Sequence, residues 1–337
     1  MKKWSLLAVL SMLIMILAAC SGSSDEVTSS GSEDGSTSGG ASGAPADFSF
    51  GSATVGGFWY TLSGAMSEKM KDYFPNSTTT IVEGGSTSNI LGMNQGIYAI
   101  GITNAPNIIE AEQGIEPFES KIENVSTIAT LYPNVFHIAV RADSDIYTVE
   151  DLKGKKVSPG IKGYSAELAF LEILKAEGMS YDDLSGIEYI GTSDAGDLLR
   201  DGHIDAIANL LSAPVSTYQE LDTTLGIRLI ELDTETIAAL AEVNSAYMEF
   251  TIKGGTYAKI KEDVKTVAAY SALMASDDLI DEETGYQLTK MMFEEATSWK
   301  TISSVMNDFT PEYSVQNTVG RLHVGAEKYY RELGLIE

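Results

Sequence analysis

The stretch TTTIVEGGSTSNILGM at residues 78–93 sets the pattern for the whole chain. Its first five residues, Thr78–Val82, are mostly β-branched and predict a strand. Two glycines then form a turn, and Ser86-Thr87 followed by an apolar segment up to Met93 predicts the start of a helix. A strand, a glycine turn and a helix are the repeating unit of a parallel α/β sheet.

The same unit recurs on both sides of this stretch and again later in the chain. Phe48–Gly51 and Tyr98–Ile102 predict strands, and apolar residues at every fourth position from Phe58 to Phe74 predict a helix. In the second half, strands are predicted at 155–158, 187–190 and 205–209, and helices at 168–175 and 195–200. Gly57 and Gly163 lie 106 residues apart, so the sequence predicts an α/β fold of two similar lobes in tandem.

The glycine loops that follow the strands are the candidate binding loops. In open α/β sheets, ligands bind beyond the carboxyl ends of the strands, where helix N-termini present unpaired N–H groups. These donors and the helix dipole favour an anionic group, and two facing lobes would enclose a small molecule. A single loop of this kind is most often only an ordinary helix cap, but matching loops at corresponding positions in both lobes favour a binding role.

Composition excludes several functional classes. The chain has 337 residues, with 22 Lys+Arg against 48 Asp+Glu and a formal charge of −26, which argues against binding nucleic acid. One cysteine cannot close an internal disulfide, and three scattered histidines do not form a zinc-enzyme pattern. The sequence also contains none of the common hydrolase, zinc-peptidase or phosphate-loop motifs, so we expect no catalysis, cofactor or metal.

The N-terminus is typical of an exported lipoprotein. Lys2 and Lys3 precede a largely apolar run of sixteen residues, Trp4–Ala19, which ends in Leu17-Ala-Ala-Cys20 and resembles a bacterial lipobox. We therefore expect residues 1–19 to be a signal peptide and Cys20 to be lipidated, although an uncleaved membrane anchor is the alternative. Residues 20–47 are rich in serine and glycine and predict a flexible linker to the membrane.

Motifs along residues 48–337 resemble the TAXI family of solute receptors for TRAP transporters. The resemblance rests on six stretches in order: GSATVGGFWY from 51, EGGSTSN from 83, RADS from 141, VEDLKGKKV from 149, GHIDA from 202 and LHVGAEKYY from 322. It implies a type II periplasmic-binding-protein fold of two α/β lobes joined by hinge strands. It also implies an extracytoplasmic receptor that captures an organic anion, such as a C4 or C5 dicarboxylate or glutamate, for TRAP permease subunits. The alternative partner is an ABC importer.

Carrying the family pattern across gives the candidate ligand contacts. In the first lobe these are Thr54, Gly57, Trp59, Tyr60, Gly85, Ser86, Thr87, Asn89, Thr103 and Asn104. In the second lobe they are Gly163, Tyr164, Ser165, Asn209, Ser212 and Pro214. The family often has Gly-Ser-Gly-Thr where this chain has Gly163-Tyr-Ser-Ala166, and Phe58 replaces a small hydroxylated residue, so a larger or more apolar acid is a hypothesis.

Three further residues have more than one possible role. Tyr132, before Pro133 at a strand end, either contacts ligand or shapes the turn. Arg141 is expected to pair with Asp143 or Asp145, and His323 to cap or pack near the C-terminus.

The glycine loops contain no acidic residue, which predicts a cleft poor in carboxylates within a very acidic protein. Family topology places one lobe at 48–139 with 245–337 and the other at 140–244, with crossings near 137–140 and 246–252. Residues 264–274 and 284–295 are predicted to be helices.

Overall fold

The computed structural model describes residues 43–55 and 57–337, so the predicted signal peptide and Cys20 lie outside the described residues. In the described part, no helix is both long and apolar enough to cross a bilayer.

Strands and helices alternate through most of the described chain. The strands are β1 (Asp47–Gly51), β2 (Thr78–Val82), β3 (Ile100–Asn104), β4 (Val125–Arg141), β5 (Lys156–Ser158), β6 (Gly186–Ile187), β7 (Ala206–Leu211), β8 (Ile227–Leu229), β9 (Met248–Ile252) and β10 (Val264–Ser276). The helices are α1 (Phe58–Tyr73), α2 (Ser86–Asn94), α3 (Ala105–Gln113), α4 (Ser165–Ala176), α5 (Thr192–Arg200), α6 (Ser216–Thr224), α7 (Thr234–Val243), α8 (Glu282–Glu294), α9 (Ala296–Ile302), α10 (Pro311–Gln316) and α11 (Val324–Glu332). Short 3₁₀ turns occur at Glu150–Leu152, Tyr181–Asp183 and Ser304–Met306.

Two long strands join two parallel sheets into one. β1 pairs in parallel with β2 and β3, and β5 pairs in parallel with β6 and β7. Between these groups, β10 and β4 pair antiparallel, and the strand order is β2-β1-β3-β10-β4-β7-β5-β6. Each group of parallel strands, with the helices that follow it, forms one lobe.

The crossings between the lobes lie inside β4 and β10. On β10, Ala268 is opposite Met248 of β9, whereas Ser271, three residues later, is opposite Asn104 of β3. On β4, Val135 is the first residue to pair with β7. The chain therefore passes from one lobe to the other near residues 133–135 and again near 269–271.

Apolar packing divides the chain in the same way. The first lobe buries two clusters, one around Phe50 and Leu62 and one around Ile90 and Met274. The second lobe buries two more, and these include Tyr247, Ile252, Val264 and Ala269. We therefore propose that residues 247–269 belong to the second lobe and that the return crossing lies in β10, rather than near 246–252.

The helix predicted at 264–274 is wrong, because these residues form most of β10. The run VKTVAAYSALM has no alternation of apolar and polar residues, and its alanines favour a helix. In the structure both faces of the strand are buried, so both faces carry apolar side chains and the twofold period is lost. The helix predicted at 284–295 is confirmed, as α8.

The C-terminal motif packs the last helix against the first lobe. His323 is the N-cap of α11, and its Nδ1 accepts a hydrogen bond from Gly325 N–H (3.1 Å) while Nε2 donates to Ile280 O (3.0 Å). This confirms the capping role expected from the sequence. A Cβ on Gly325 would collide with Glu282 O and Tyr286 N, so α11 reaches α8 only because residue 325 is glycine.

Replacing Gly325 with alanine is expected to lower the free energy of unfolding by about 1–3 kcal/mol, because the two helices must move apart. The matched control is Gly64→Ala inside α1, where an added Cβ meets nothing within 4 Å. That change should raise stability by about 0.4–1 kcal/mol, since alanine favours a helix. Urea unfolding of both variants measures the difference, and equal effects would contradict the close packing of α8 and α11.

Candidate functional site

Six helices begin at the carboxyl end of a parallel strand, and none of the six has a side-chain cap. The N-cap residues of α1 to α6 are Gly57, Gly85, Asn104, Tyr164, Gly191 and Val215, and none accepts a capping hydrogen bond on its side chain. By contrast, Asp233, Asp281, Thr310 and His323 cap α7, α8, α10 and α11. Helix α9, which continues directly from α8, also has no side-chain cap. Uncapped N–H groups are therefore concentrated at the strand ends that face the crossings.

In the first lobe, buried polar side chains fix the loops beneath these helix starts. The Ser86 hydroxyl accepts a hydrogen bond from Asn104 N–H (3.0 Å), which joins the start of α2 to the start of α3. Asn89 donates to Ser52 O and to Ile102 O (both 2.8 Å), so its amide hydrogens join the loop after β1 to strand β3. Ser86, Asn89 and Asn104 are all buried.

The crossing strands supply a polar floor between the lobes. Asn134 Nδ2 on β4 donates to Asn104 Oδ1 (2.8 Å) and to Ser271 Oγ on β10 (3.0 Å). The Trp59 indole N–H also reaches Ser271 Oγ (3.3 Å). Tyr132 is buried beside them, its ring 5.3 Å from that of Phe58, and burial raises the pKa of its hydroxyl. The floor thus joins both crossings to α1 and α3.

In the second lobe, the glycine turn before α4 brings Tyr164 and Ser165 to the lobe surface. Gly163 adopts φ +79°, a conformation that favours glycine, and its N–H donates to Glu167 Oε2 (3.1 Å). At the next strand end, Asn209 Nδ2 donates to Thr192 Oγ1 at the start of α5 (2.6 Å).

The two lobes are in direct contact at these helix starts. The Ser165 hydroxyl of α4 donates to Asn107 Oδ1 of α3 (2.7 Å) and lies 2.8 Å from Ser86 Oγ of α2. The Tyr164 ring lies against Gly85, where an added Cβ would be 2.9 Å from the ring. The structure is therefore a closed form, with hydroxyl, amide and aromatic groups between the lobes.

The expectation of a cleft poor in carboxylates is only partly met. No lysine or arginine of the described residues is buried, so N–H and O–H groups supply the positive polarity of the buried part of the interface between the lobes. However, Glu83 Oε1 accepts a hydrogen bond from Val55 N–H (2.7 Å), and the buried Glu167 holds the loop at Gly163. Each lobe thus uses a carboxylate just outside its glycine loop to fix that loop, a role that the loop sequences alone did not reveal.

The remaining predicted ligand contacts differ in burial and in distance from the contact between the lobes. Thr103 is buried, and Thr87 Oγ1 lies 3.4 Å from Asn107 Nδ2. Tyr60 and Ser212 are half-buried, and Thr54 is exposed in the first loop. Pro214 lines a separate groove of about 300 Å³ with Phe250 and Lys253, away from the contact between Ser86 and Ser165.

Sequence reasoning missed Asn107, Asn134 and Ser271. The signal for Asn134 and Ser271 is a polar residue inside an apolar run that forms a buried strand, as in LYPNVF and AAYSAL. Asn107 gave no such signal, because asparagine in the first turn of a helix is common. Arg141, by contrast, pairs with Asp143 (3.2 Å) as expected.

Comparison with known proteins identifies the family of this chain. A family model described as the NMT1-like family matches residues 50–334. The chain belongs to the NMT1-like family.

Solved structures resemble this NMT1-like protein at low identity. PhnD1 from Prochlorococcus marinus, in complex with methylphosphonate, has 12% identity and a TM-score of 0.52 over 86% of this chain and 99% of that chain. A protein from Bordetella bronchiseptica RB50 has 16% identity and a TM-score of 0.50 over 87% and 90%. The alkanesulfonate-binding protein SsuA from Xanthomonas axonopodis pv. citri, bound to MOPS, has 18% identity and a TM-score of 0.46 over 79% and 81%. The predicted type II periplasmic-binding-protein fold is confirmed.

A buried histidine supports the helix start at Val215. His137 on β4 donates from Nδ1 to Val135 O (2.8 Å) and accepts at Nε2 from the Tyr257 hydroxyl (2.9 Å). That hydroxyl in turn accepts from Val215 N–H (3.1 Å). Burial lowers the pKa of His137 to about 4, so the ring is neutral in the folded NMT1-like protein.

The free energy of unfolding should therefore fall as the pH drops from about 6.5 towards 4, because the unfolded chain takes up a proton that the folded His137 rejects. The pKa difference corresponds to about 2–3 kcal/mol between pH 7.5 and 4.5. His137→Gln keeps hydrogen-bonding capacity without titrating, and should remove that part of the pH dependence in urea unfolding. Identical pH profiles for the two proteins would contradict the buried neutral imidazole.

Proposed function

We propose that the protein is an extracytoplasmic solute receptor of the TAXI type, which captures a small organic anion between its lobes and delivers it to TRAP permease subunits without chemical change. The motifs quoted from the sequence support the TAXI assignment. The NMT1-like family and the type II periplasmic-binding-protein fold support the broader class of solute-binding proteins.

The observation that carries the proposal is the absence of side-chain caps at α1 to α6. Each helix start leaves backbone N–H groups without intrahelical partners, together with about half a positive charge from the helix dipole. Helices α7, α8, α10 and α11, which do not follow these parallel strands, use side-chain acceptors for the same donors: an oxygen in the first three and His323 Nδ1 in α11. An anionic group between the lobes would satisfy the free donors.

The ligand class follows from the kind of donors present. Since no lysine or arginine is buried in the described part of the chain, the site would hold its ligand through hydrogen bonds from N–H, hydroxyl and amide groups. A carboxylate accepts several such bonds at once, and each hydrogen bond to a charged group is worth about 1.5–3 kcal/mol. A ligand of the size of a C4 or C5 acid is what the TAXI motifs imply.

The proposed attachment to the membrane and the proposed permease partner are inferred from the sequence alone. Lipidation of Cys20 and the linker that follows would hold the receptor at the outer face of the membrane, next to its permease. A permease driven by a sodium or proton gradient is expected from the TAXI motifs. Uptake in reconstituted vesicles that required ATP hydrolysis instead would favour the alternative, an ABC importer.

The site assignment is tested with the compound that remains bound during native purification. After native mass spectrometry identifies it, Ser86→Ala and Asn104→Ala should each weaken its affinity by about 10- to 100-fold, since each removes a polar partner at the helix starts. Calorimetry measures the affinities, with succinate, glutamate and benzoate as reference ligands.

Ser298→Ala, on α9 in the first lobe, is the control and should bind as the natural protein does. Unchanged affinity in both site variants would contradict the proposed site. Conversion of the bound compound into a product during incubation would contradict the role of a receptor.

A further inference from the structure

A second set of contacts joins the lobes beside the helix starts. On α3 of the first lobe, Asn107 and Glu110 lie three residues apart and therefore share one face of the helix. That face meets Ser165 at the start of α4, and Asn244 after α7, both in the second lobe. Glu110 thus lies in the interface between the lobes, next to the proposed site.

Every hydrogen-bond donor to Glu110 is neutral. Asn107 Nδ2 donates to Glu110 Oε2 (2.8 Å), and Asn244 Nδ2 lies 3.4 Å from Glu110 Oε1. The Asn244 side chain is buried and also donates to Pro106 O (3.0 Å), so it is held in place by the first turn of α3. Neutral amides stabilise an ionised carboxylate less than a cation would.

The titratable groups that face Glu110 from the other lobe do not compensate its charge. These groups are Glu172 on α4 and the buried Tyr247 after α7. Glu172 is itself paired with Lys175 (2.6 Å), one turn further along α4. The next acidic residue on α3 is Glu112, two residues after Glu110. Its carboxylate accepts a hydrogen bond from Arg321 N–H (2.8 Å).

Closing the lobes therefore removes water from a carboxylate and places it near a second carboxylate. Burial is the main cause that raises the pKa of Glu110, to about 7, and Glu172 raises it further, against the lowering effect of the two asparagines. When the lobes separate, Asn244, Tyr247 and Glu172 move away with the second lobe, and the side chain regains solvent. Its pKa should then return towards the ordinary value of about 4.3.

We propose that Glu110 is a proton-binding site that is completed by closure of the two lobes, so that the closed receptor carries one proton more than the open one. Closure is then favoured at low pH and opposed as the pH rises through 7, because the ionised carboxylate must give up its hydration. A receptor outside the cell would therefore close most readily where protons are abundant, and deprotonation would help the lobes to reopen.

The test measures closure without any ligand, so its failure would leave the proposed function untouched. Spin labels are placed on Glu68→Cys in the first lobe and Glu150→Cys in the second, in a full-length Cys20→Ser chain. Both side chains are 72% exposed. Bound solutes are removed by unfolding, dialysis and refolding, and pulsed electron resonance gives the distances between the labels.

Between pH 5.5 and 8.0, the ratio of closed to open molecules should fall by about thirtyfold, as expected from linkage to one carboxyl group whose pKa is about 7 in the closed form and about 4.3 in the open form. Glu110→Gln cannot ionise in either form, so its ratio should not change with pH and should be at least as high as that of the natural chain at pH 5.5. Glu112→Gln on the same helix is the matched control and should respond as the natural chain does.

Glu172→Gln should keep the pH response but move its midpoint to lower pH, because it removes the facing carboxylate. This variant also tests the proposal if Glu110→Gln fails to fold. A ratio that does not change with pH, or a Glu110→Gln protein that responds like the natural chain, would overturn the proposal. So would a Glu172→Gln midpoint that does not move.

Discussion

The whole arrangement depends on one constraint, that the first turn of a helix leaves backbone N–H groups without partners. In this protein the N-cap side chains of the six helices that follow parallel strands accept no hydrogen bond from the first turn, whereas those of α7, α8, α10 and α11 do. Buried free donors cost free energy, so they persist only where a ligand, water or the opposite lobe can satisfy them. The glycine loops, the polar floor and the two lobes all serve to bring these helix starts together.

The crossing strands meet two requirements at once. They must be apolar on both faces, because β4 and β10 run through the cores of both lobes. They must also support the floor of the cleft, which they do through Asn134 and Ser271. Since these polar groups bond to one another and to Trp59 and Asn104, their burial is compensated, and the hinge and the binding floor are built from the same residues.

Sequence reasoning succeeded where the signal is local. The glycine turn and helix start at Gly85-Ser86, and the matching turn before Ser165, could be predicted because both use residue types that a strand-to-helix turn requires. β10 could not, because a strand buried on both faces has lost the alternation that identifies strands. Glu167 and Glu110 were missed for another reason: each lies on a helix where a glutamate is ordinary, and only tertiary contact gives it a role.

The proposed ligand site and the proposed proton site lie in one interface, the one that forms when the lobes close. The face of α3 that carries Asn107 and Glu110 also borders the helix starts of α2 and α4, so a ligand and a proton would both favour the same closed arrangement. The ligand is proposed to bind through its anionic group between the lobes. A crystal structure of the receptor with the compound it retains during purification would show where that group lies. We expect the anionic group to lie between the lobes, within hydrogen-bonding distance of backbone N–H groups at the starts of helices from both lobes. A ligand in the groove along β9, or one held by lysine or arginine side chains, would contradict it.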